Sequence, residues 1–305
     1  MLAPMQGLTN RAFRAVIIGT SRPDVVFTEF MRVRLGSKKG LSKVDKVEAA
    51  SHNGDVPLVA QLIGRDPDAL VAAAKEAQQA GARHLNINMG CPYGRMNSNS
   101  AGGALLKDPQ SIPVTLERLR REIKGSFSVK LRAGYDDPRQ ALDLLPIFED
   151  IGIDFIIIHP RTVIQKFTGL ADHRITAELV SATRLPVIAN GDIMTAADGR
   201  QILVETKAAG LMLGRGAITD PLLFERIRGN CPAEMSRPDR ALELKSYIRE
   251  LLERYQEIFQ GEDQILRKTK EVISFIEDPW FEKYLKKMRR AADLTKFAAH
   301  AESIA

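Results

Sequence analysis

Cysteine is almost absent from this chain: Cys91 and Cys231 are the only two among 305 residues. Two thiols cannot staple a disulfide framework, and their scarcity fits a reducing compartment, so a cytoplasmic protein is expected. Neither has a second Cys or a His at metal-ligand spacing, which argues against structural zinc, and no metal is expected. No apolar run approaches the roughly 18–20 residues that cross a bilayer, so no membrane association is expected. The first ten residues, MLAPMQGLTN, lack the basic stretch and long apolar stretch of a secretory leader. Repeats and low-complexity tracts are missing too. Neither sign of charge dominates: 44 Lys and Arg face 38 Asp and Glu, giving a net +6 and a pI near 9.3. That balance permits a polyanionic partner without requiring one. What remains is ordinary globular composition, 44% apolar and 27% charged, in a chain long enough for one or two domains. A monomer is expected.

Short β-branched runs alternate with helical patterns up to about residue 230. The pattern predicts strands at Met1–Met5, Val25–Phe30, Leu58–Ile63, His84–Met89, Ser128–Arg132, Phe155–His159, Pro186–Ala189 and Leu211–Gly214. Between them lie helical stretches such as Asp66–Ala80, Gln110–Ile123, Arg139–Glu149 and Thr195–Glu205. Such alternation calls for a parallel sheet, because parallel neighbours need crossover connections. FIIIH and PVIAN are apolar on both faces, as strands covered by helices should be. Eight strands with crossovers predict an α/β fold of the (β/α)8 TIM-barrel type; no G-x-G-x-x-G follows an early strand to support a doubly wound sheet instead. After Arg228, GNCPAEMSRPDR reads as a linker. From Arg240 onward only helical spacing survives, as in Leu244, Ile248, Leu251 and Tyr255. The expected division is a barrel over 1–230 and a small domain of three or four helices over 237–305.

The most informative stretch is His84–Pro109, HLNINMGCPYGRMNSNSAGGALLKDP. Asn86 and Asn88 lie two apart and share one face of a strand, with Ile87 and Met89 on the other. Gly90 allows close backbone approach and Pro92 stiffens the turn that presents the Cys91 thiol. A lone cysteine is more often a packing residue than a reactive one, but a packing cysteine needs neither the amides nor the glycines. The other predicted strands also end in polar groups or glycines: Ala3-Pro4-Met5-Gln6-Gly7, Thr28-Glu29 with Arg32 beyond, Gln61, Lys130 and Arg132, His159-Pro160-Arg161-Thr162, Asn190-Gly191-Asp192, and Gly214-Arg215-Gly216. Barrel chemistry is built at that end of the strands. The Asn190-Gly-Asp and Gly214-Arg-Gly turns fall where such barrels hold phosphate, with Arg215 adding charge-assisted bonds. Lys130 and Gln61 would then lie over the middle of a planar cofactor such as a flavin.

Asn88-Met89-Gly90-Cys91-Pro92, followed by Asn97 and by Gly102-Gly103-Ala104-Leu105-Leu106, resembles the signature of the dihydrouridine synthases. These flavin enzymes reduce the 5,6 double bond of uracil in transfer RNA. The resemblance continues from residue 3 to residue 216. It implies that Ala3-Pro4-Met5-Gln6, Gln61, Lys130, His159, Asn190-Gly191-Asp192 and Gly214-Arg215 bind FMN. It implies NADPH as reductant, with no separate nicotinamide fingerprint visible. It assigns Cys91 as the general acid that protonates C5 of the uracil; an ordinary thiol, with a pKa near 8.5, is mostly protonated at neutral pH. Asn88, Lys130, His159 and Arg161 are expected near the uracil or its ribose phosphate.

A tRNA partner is implied on the same ground. The tail is not basic overall, with 14 Lys and Arg against 13 Asp and Glu from Ser236 to Ala305. Local clusters are basic: Arg267-Lys268-Thr269-Lys270, residues Lys283 to Arg290, and Arg32, Arg34, Lys38, Lys39, Lys43 and Lys46 near the second strand. Each run by itself reads as a solvated face; with the resemblance, Arg32, Lys268 and Lys270 become expected phosphate contacts. A uracil within folded RNA must also be extruded to reach the barrel mouth. The chain departs from the family pattern at Tyr93-Gly94-Arg95-Met96, at Ala133 and at Pro160, which leaves the target nucleotide open. A flavin barrel reductase of a free pyrimidine, a dihydrouridine synthase of ribosomal RNA and a non-catalytic RNA-binding barrel are the competing expectations.

Overall fold

The computed structural model describes residues 1–33, 40–93 and 101–305. Arg34, Lys38 and Lys39 of the basic cluster, and Gly94, Arg95, Met96 and Asn97 of the loop after Pro92, lie outside the described residues. Among the described residues the chain forms eight strands: β1 Val26–Phe27, β2 Met31–Arg32, β3 Leu58–Ile63, β4 His84–Met89, β5 Ser126–Arg132, β6 Phe155–His159, β7 Val187–Asn190 and β8 Gly210–Met212. All pair in parallel, in the order β1-β3-β4-β5-β6-β7-β8, with β2 also on β3. Leu2 bridges Val26 on one side and Leu213 on the other. The Leu2 N–H donates to Val25 O at 2.9 Å and the Ala3 N–H to Leu213 O at 2.8 Å, so the sheet closes into a barrel.

The predicted first strand, Met1–Met5, is thus reduced to one bridging residue, Leu2. Pro4 has no N–H to give, and the Met5 N–H turns to Thr9 Oγ1 at 2.9 Å. The predicted second strand, Val25–Phe30, stops at Phe27 and resumes at Met31. Phe27 pairs with Val59 and Met31 with Leu62, four steps against three, so one residue is extra, as in a β-bulge. The bulge has a local cause: the Gln61 N–H donates to Thr28 Oγ1 at 3.1 Å. The predicted helix Arg139–Glu149 is two, Gln140–Asp143 and Leu145–Ile151, parted where Pro146 disfavours a continuous helix. The strand ends shift elsewhere by a residue or two, and helix Pro67–Ala80 begins after Asp66, whose carboxylate caps the Ala69 N–H.

Inside the barrel, Ala3, Phe27, Val59, Ile157, Ile188 and Met212 form an apolar floor. Outside it, Leu62, Leu85, Ile87, Met89, Val129, Leu131, Ile156 and Ile158 pack against the surrounding helices. Four helices follow the barrel: Arg237–Ile258, Glu262–Ile273, Glu282–Arg290 and Leu294–Glu302. Leu244, Ile248, Leu251 and Tyr255 of the first are buried in one apolar cluster with Phe13, Val16 and Ile17 of helix Arg11–Ser21. Two buried arginines cross the same junction: Arg226 pairs with Asp220 and Glu243, and Arg240, paired with Asp278, donates to Thr219 O at 2.6 Å. Among the described residues no helix is long and apolar enough to cross a membrane.

Candidate active site

Above the apolar floor the inward positions of β3, β4 and β5 turn polar. Gln61 lies opposite Asn86, Asn86 opposite Ser128, and Asn88 opposite Lys130. These side chains form a chain of bonds. Asn88 Nδ2 donates to Gln61 Oε1 at 2.9 Å, Gln61 Nε2 to Asn86 Oδ1 at 2.8 Å, and Asn86 Nδ2 to Ser128 Oγ at 2.8 Å. All four are buried, where an unmade bond would be costly. Gln61, expected over the cofactor, is fully enclosed and spends its amide on its neighbours.

Asn88 Oδ1 accepts the N–H groups of Gly90 and Cys91 at 3.0 and 2.9 Å. The Cys91 carbonyl accepts the Gly103 N–H at 3.0 Å. Both ends of the cysteine backbone are therefore held while its side chain is half-buried beside Phe30, Ile63 and Ala101.

The opposite wall is cationic. Lys130 Nζ donates to Asn190 Oδ1 at 2.7 Å, and Asn190 Nδ2 to Met212 O at 2.8 Å. Burial, and then the charge of Arg132, pushes the Lys130 ammonium down to about 7, with Cys91 opposing. Arg132 donates to Gly90 O at 2.9 Å and Thr162 O at 3.0 Å, and also to Lys166 O. His159 Nε2 lies 3.0 Å from Arg161, which can only donate, so this nitrogen accepts and the ring is neutral. Burial, followed by Lys130, Arg132, Arg161 and His173, holds His159 far below the usual imidazole range. Arg161 also donates to Asp192 at 2.5 Å and to Gly169 O at 2.6 Å, yet its buried Nε has no partner among the described residues.

Asp192 adopts a left-handed φ of 50°. It accepts from Arg161, from the Ala171 N–H at 2.8 Å and from Arg215 at 3.3 Å. Burial raises its pKa, but these bonds and charges outweigh that and leave it low. Gly191 has φ 120°, and a Cβ there would lie 2.9 Å from His159 Cδ2. At the last turn a Cβ on Gly214 would lie 3.6 Å from Met5 Sδ and 3.8 Å from Ala3 Cβ, so the first and last strand ends meet.

The structure thus gathers Gln61, Asn88, Cys91, Lys130, His159, Arg161, Asn190, Gly191, Asp192 and Arg215 at one end of the barrel, with Ala3, Pro4, Met5 and Gly214 on the closing seam. Gln6 and Arg32 are exposed, Arg32 stacking on Phe30. Lys268 bonds Glu271 at 2.6 Å and Gly7 O at 3.3 Å, and Lys270 bonds Ala291 O at 2.5 Å, so each ammonium has a partner within the protein and keeps a further donor. Sequence reasoning left out Ser128, His173 and Phe167, and gave Asn86 and Arg132 no role. Asn86 and Ser128 were readable from strand alternation; Phe167, a lone aromatic in a loop, gave no signal.

Among the described residues, Lys130, Arg132, Arg161 and Arg215 face one carboxylate, Asp192, and one buried guanidinium N–H is unpaired. That donor surplus fits a planar, phosphorylated cofactor, with Lys130 and Asn190 at the ring and the Gly191 and Arg215 turns at the phosphate.

A closed parallel barrel with a donor-rich mouth at the strand C-termini defines the class, a (β/α)8 barrel with its site where such barrels build chemistry. The solved structures agree on the fold. Morphinone reductase superposes with a TM-score of 0.55 at 12% identity, over 78% of this chain and 87% of that one. An old yellow enzyme homologue from Zymomonas mobilis gives 0.55 at 15%, over 76% and 86%. The family described as Dihydrouridine synthase matches residues 1–303. "tRNA-dihydrouridine(16) synthase" of Haemophilus influenzae is 34% identical over 241 residues, 75% of this chain and 76% of its own. "tRNA-dihydrouridine synthase B" of Pasteurella multocida is 33% identical over 224 residues, 73% and 67%. The chain belongs to the dihydrouridine synthase family, a family of flavin-dependent oxidoreductases.

Proposed function

We propose that this protein reduces the C5–C6 double bond of a uridine in tRNA, with FMN as its flavin and NADPH as the source of electrons. The observation that carries the reading is the pinned cysteine. Asn88 and Gly103 fix the Cys91 backbone at the lip of the barrel, and the side chain stays accessible. When bound, FMN would supply hydride chemistry at C6 of the uracil. The protein must then provide a proton at C5, and the Cys91 thiol gives it. Lys130, bonded to Asn190, and Arg215, bonded to Asp192, would hold the flavin's ring and phosphate respectively. Asn88 and Arg161 line the space in which a uracil meets Cys91. His159, neutral and accepting from Arg161, orients that guanidinium and does not act as an acid.

In this reading residues 1–230 carry the chemistry and 237–305 engage RNA. Phosphate contacts would come from Lys268 and Lys270, which keep donors beyond their internal bonds, with exposed Arg267 on the same helix and exposed Lys283, Lys286, Lys287 and Arg290 on the next. A platform of this kind suits a polymer and has no use for a free pyrimidine.

Single-turnover oxidation of the reduced holoenzyme by unmodified tRNA tests the acid. Cys91→Ala should keep its flavin and still be reduced by NADPH, yet form dihydrouridine about 10²–10⁴-fold more slowly. Cys91→Ser should be similarly slow, since a hydroxyl is a far weaker acid. Normal product formation by Cys91→Ala would end the assignment.

A further inference from the structure

The mouth carries apolar surface that the chemistry above leaves unused. Tyr93, two residues beyond Cys91, is 54% exposed, and Phe167, in the loop after β6, is 46% exposed. Their ring centroids are 6.2 Å apart with the planes tilted by 34°. Phe167 is also 6.1 Å from the His159 ring, so the pair overhangs the cationic wall. The Arg132 and Arg215 guanidinium groups stand 5.1 and 5.9 Å from the Phe167 centroid and hold the ring by cation–π attraction. Arg132 is in turn anchored by the carbonyls of Gly90 and Thr162. The aromatic pair is therefore positioned by the same arginine that braces the turn leading into Cys91.

Two half-exposed aromatic rings thus stand side by side close to Cys91, each with part of its surface in water. Such surface is what a nucleobase stacks on. The surrounding charge narrows the occupant: the mouth holds a cationic surplus, and exposed Lys166, beside Phe167, takes no ion pair among the described residues. Unpaired nucleobases combine a face that stacks on aromatic rings with a phosphate that seeks cations. Two residues of chain span at most about 7 Å, so Tyr93 is close to Cys91 without sharing its place. A uracil presented to Cys91 would thus leave the aromatic step to its neighbour along the strand.

We propose that Tyr93 and Phe167 form a stacking platform for the unpaired base next to the reduced uridine, with Lys166 placed for that nucleotide's phosphate. The platform rests on the reading of tRNA as substrate. It makes Tyr93, placed beside Cys91 at the mouth, a determinant of which uridine is selected.

The test uses holoenzyme and unmodified tRNA, with and without an abasic nucleotide on either side of the target uridine. Tyr93→Ala should weaken tRNA binding roughly 5- to 150-fold, the loss expected for one stacked base. Tyr93→Phe, which keeps the ring, should restore it. An abasic site at the stacked neighbour should weaken the wild-type enzyme by a similar factor and add little to Tyr93→Ala. Flavin occupancy in the visible spectrum checks that each variant is folded. Unchanged affinity in Tyr93→Ala, or full additivity with abasic sites on both sides, overturns the platform while leaving the tRNA reading intact. Failure of the wild-type enzyme to form dihydrouridine in any tRNA overturns both.

Discussion

Lys130 joins electrostatics to stability at the scale of one residue. Below about 7 it is charged in both folded and unfolded chains, and its burial cost is fully present. Between about 7 and an unperturbed value near 10.4 the unfolded chain holds a proton that the folded one has shed. Unfolding then takes up a proton, so stability rises with pH across that window. The flavin-free protein should therefore melt at higher temperature at pH 9 than at pH 7 through this group, and Lys130→Met should flatten that slope. Calorimetry of both proteins across the window reads the difference. Gly191 makes a steric case. Alanine there would be strained by a φ of 120° and would press on His159, a cost on the order of 1–3 kcal/mol. Gly191→Ala should lose flavin and melting temperature together, which a spectrum of the purified protein checks.

At the scale of elements, the strands most readable from sequence were those buried on both faces. FIIIH has helices outside and barrel inside, and every position carries the same apolar message. The closing segment was misread because its pairing is decided by Pro4 and by the Thr9 hydroxyl. The bulge after Phe27 was invisible because Thr28 takes a ladder bond with its side chain. The same limit governs the site. Placement at strand ends picked out Asn88, Lys130, His159 and Asp192, whereas the partner of each side chain depends on register between strands dozens of residues apart. Gln61 and Lys268 illustrate this, each bonded to a neighbour that no spacing rule connects to it. The turn after β4 yields a prediction of its own. Asn88→Ala removes the acceptor for two N–H groups and leaves Gln61 Oε1 without its donor. Dihydrouridine formation should fall sharply while FMN content holds, and comparing the product rate with flavin absorbance separates the two.

Across the whole molecule, the barrel and the four C-terminal helices share one apolar cluster. Leu251 is fully buried in it, and Leu251→Ala should cost about 2–5 kcal/mol. Because the cluster runs through helix Arg11–Ser21 into the barrel wall, the loss should lower a single unfolding transition monitored by both far-UV ellipticity and flavin fluorescence. A chain ending at Ser236 should expose that face and aggregate.

The seam at Leu2 sets a timetable for synthesis. Its partner Leu213 lies 211 positions downstream, and the helix that covers Phe13 and Ile17 ends only at Ile258. At about 5–20 residues per second, the ribosome needs on the order of tens of seconds to deliver those partners after helix Arg11–Ser21 has emerged. During that interval helix Arg11–Ser21 lacks the partners that bury its apolar stripe, so the nascent chain should favour chaperone binding until Leu213 and helix Arg237–Ile258 have been made.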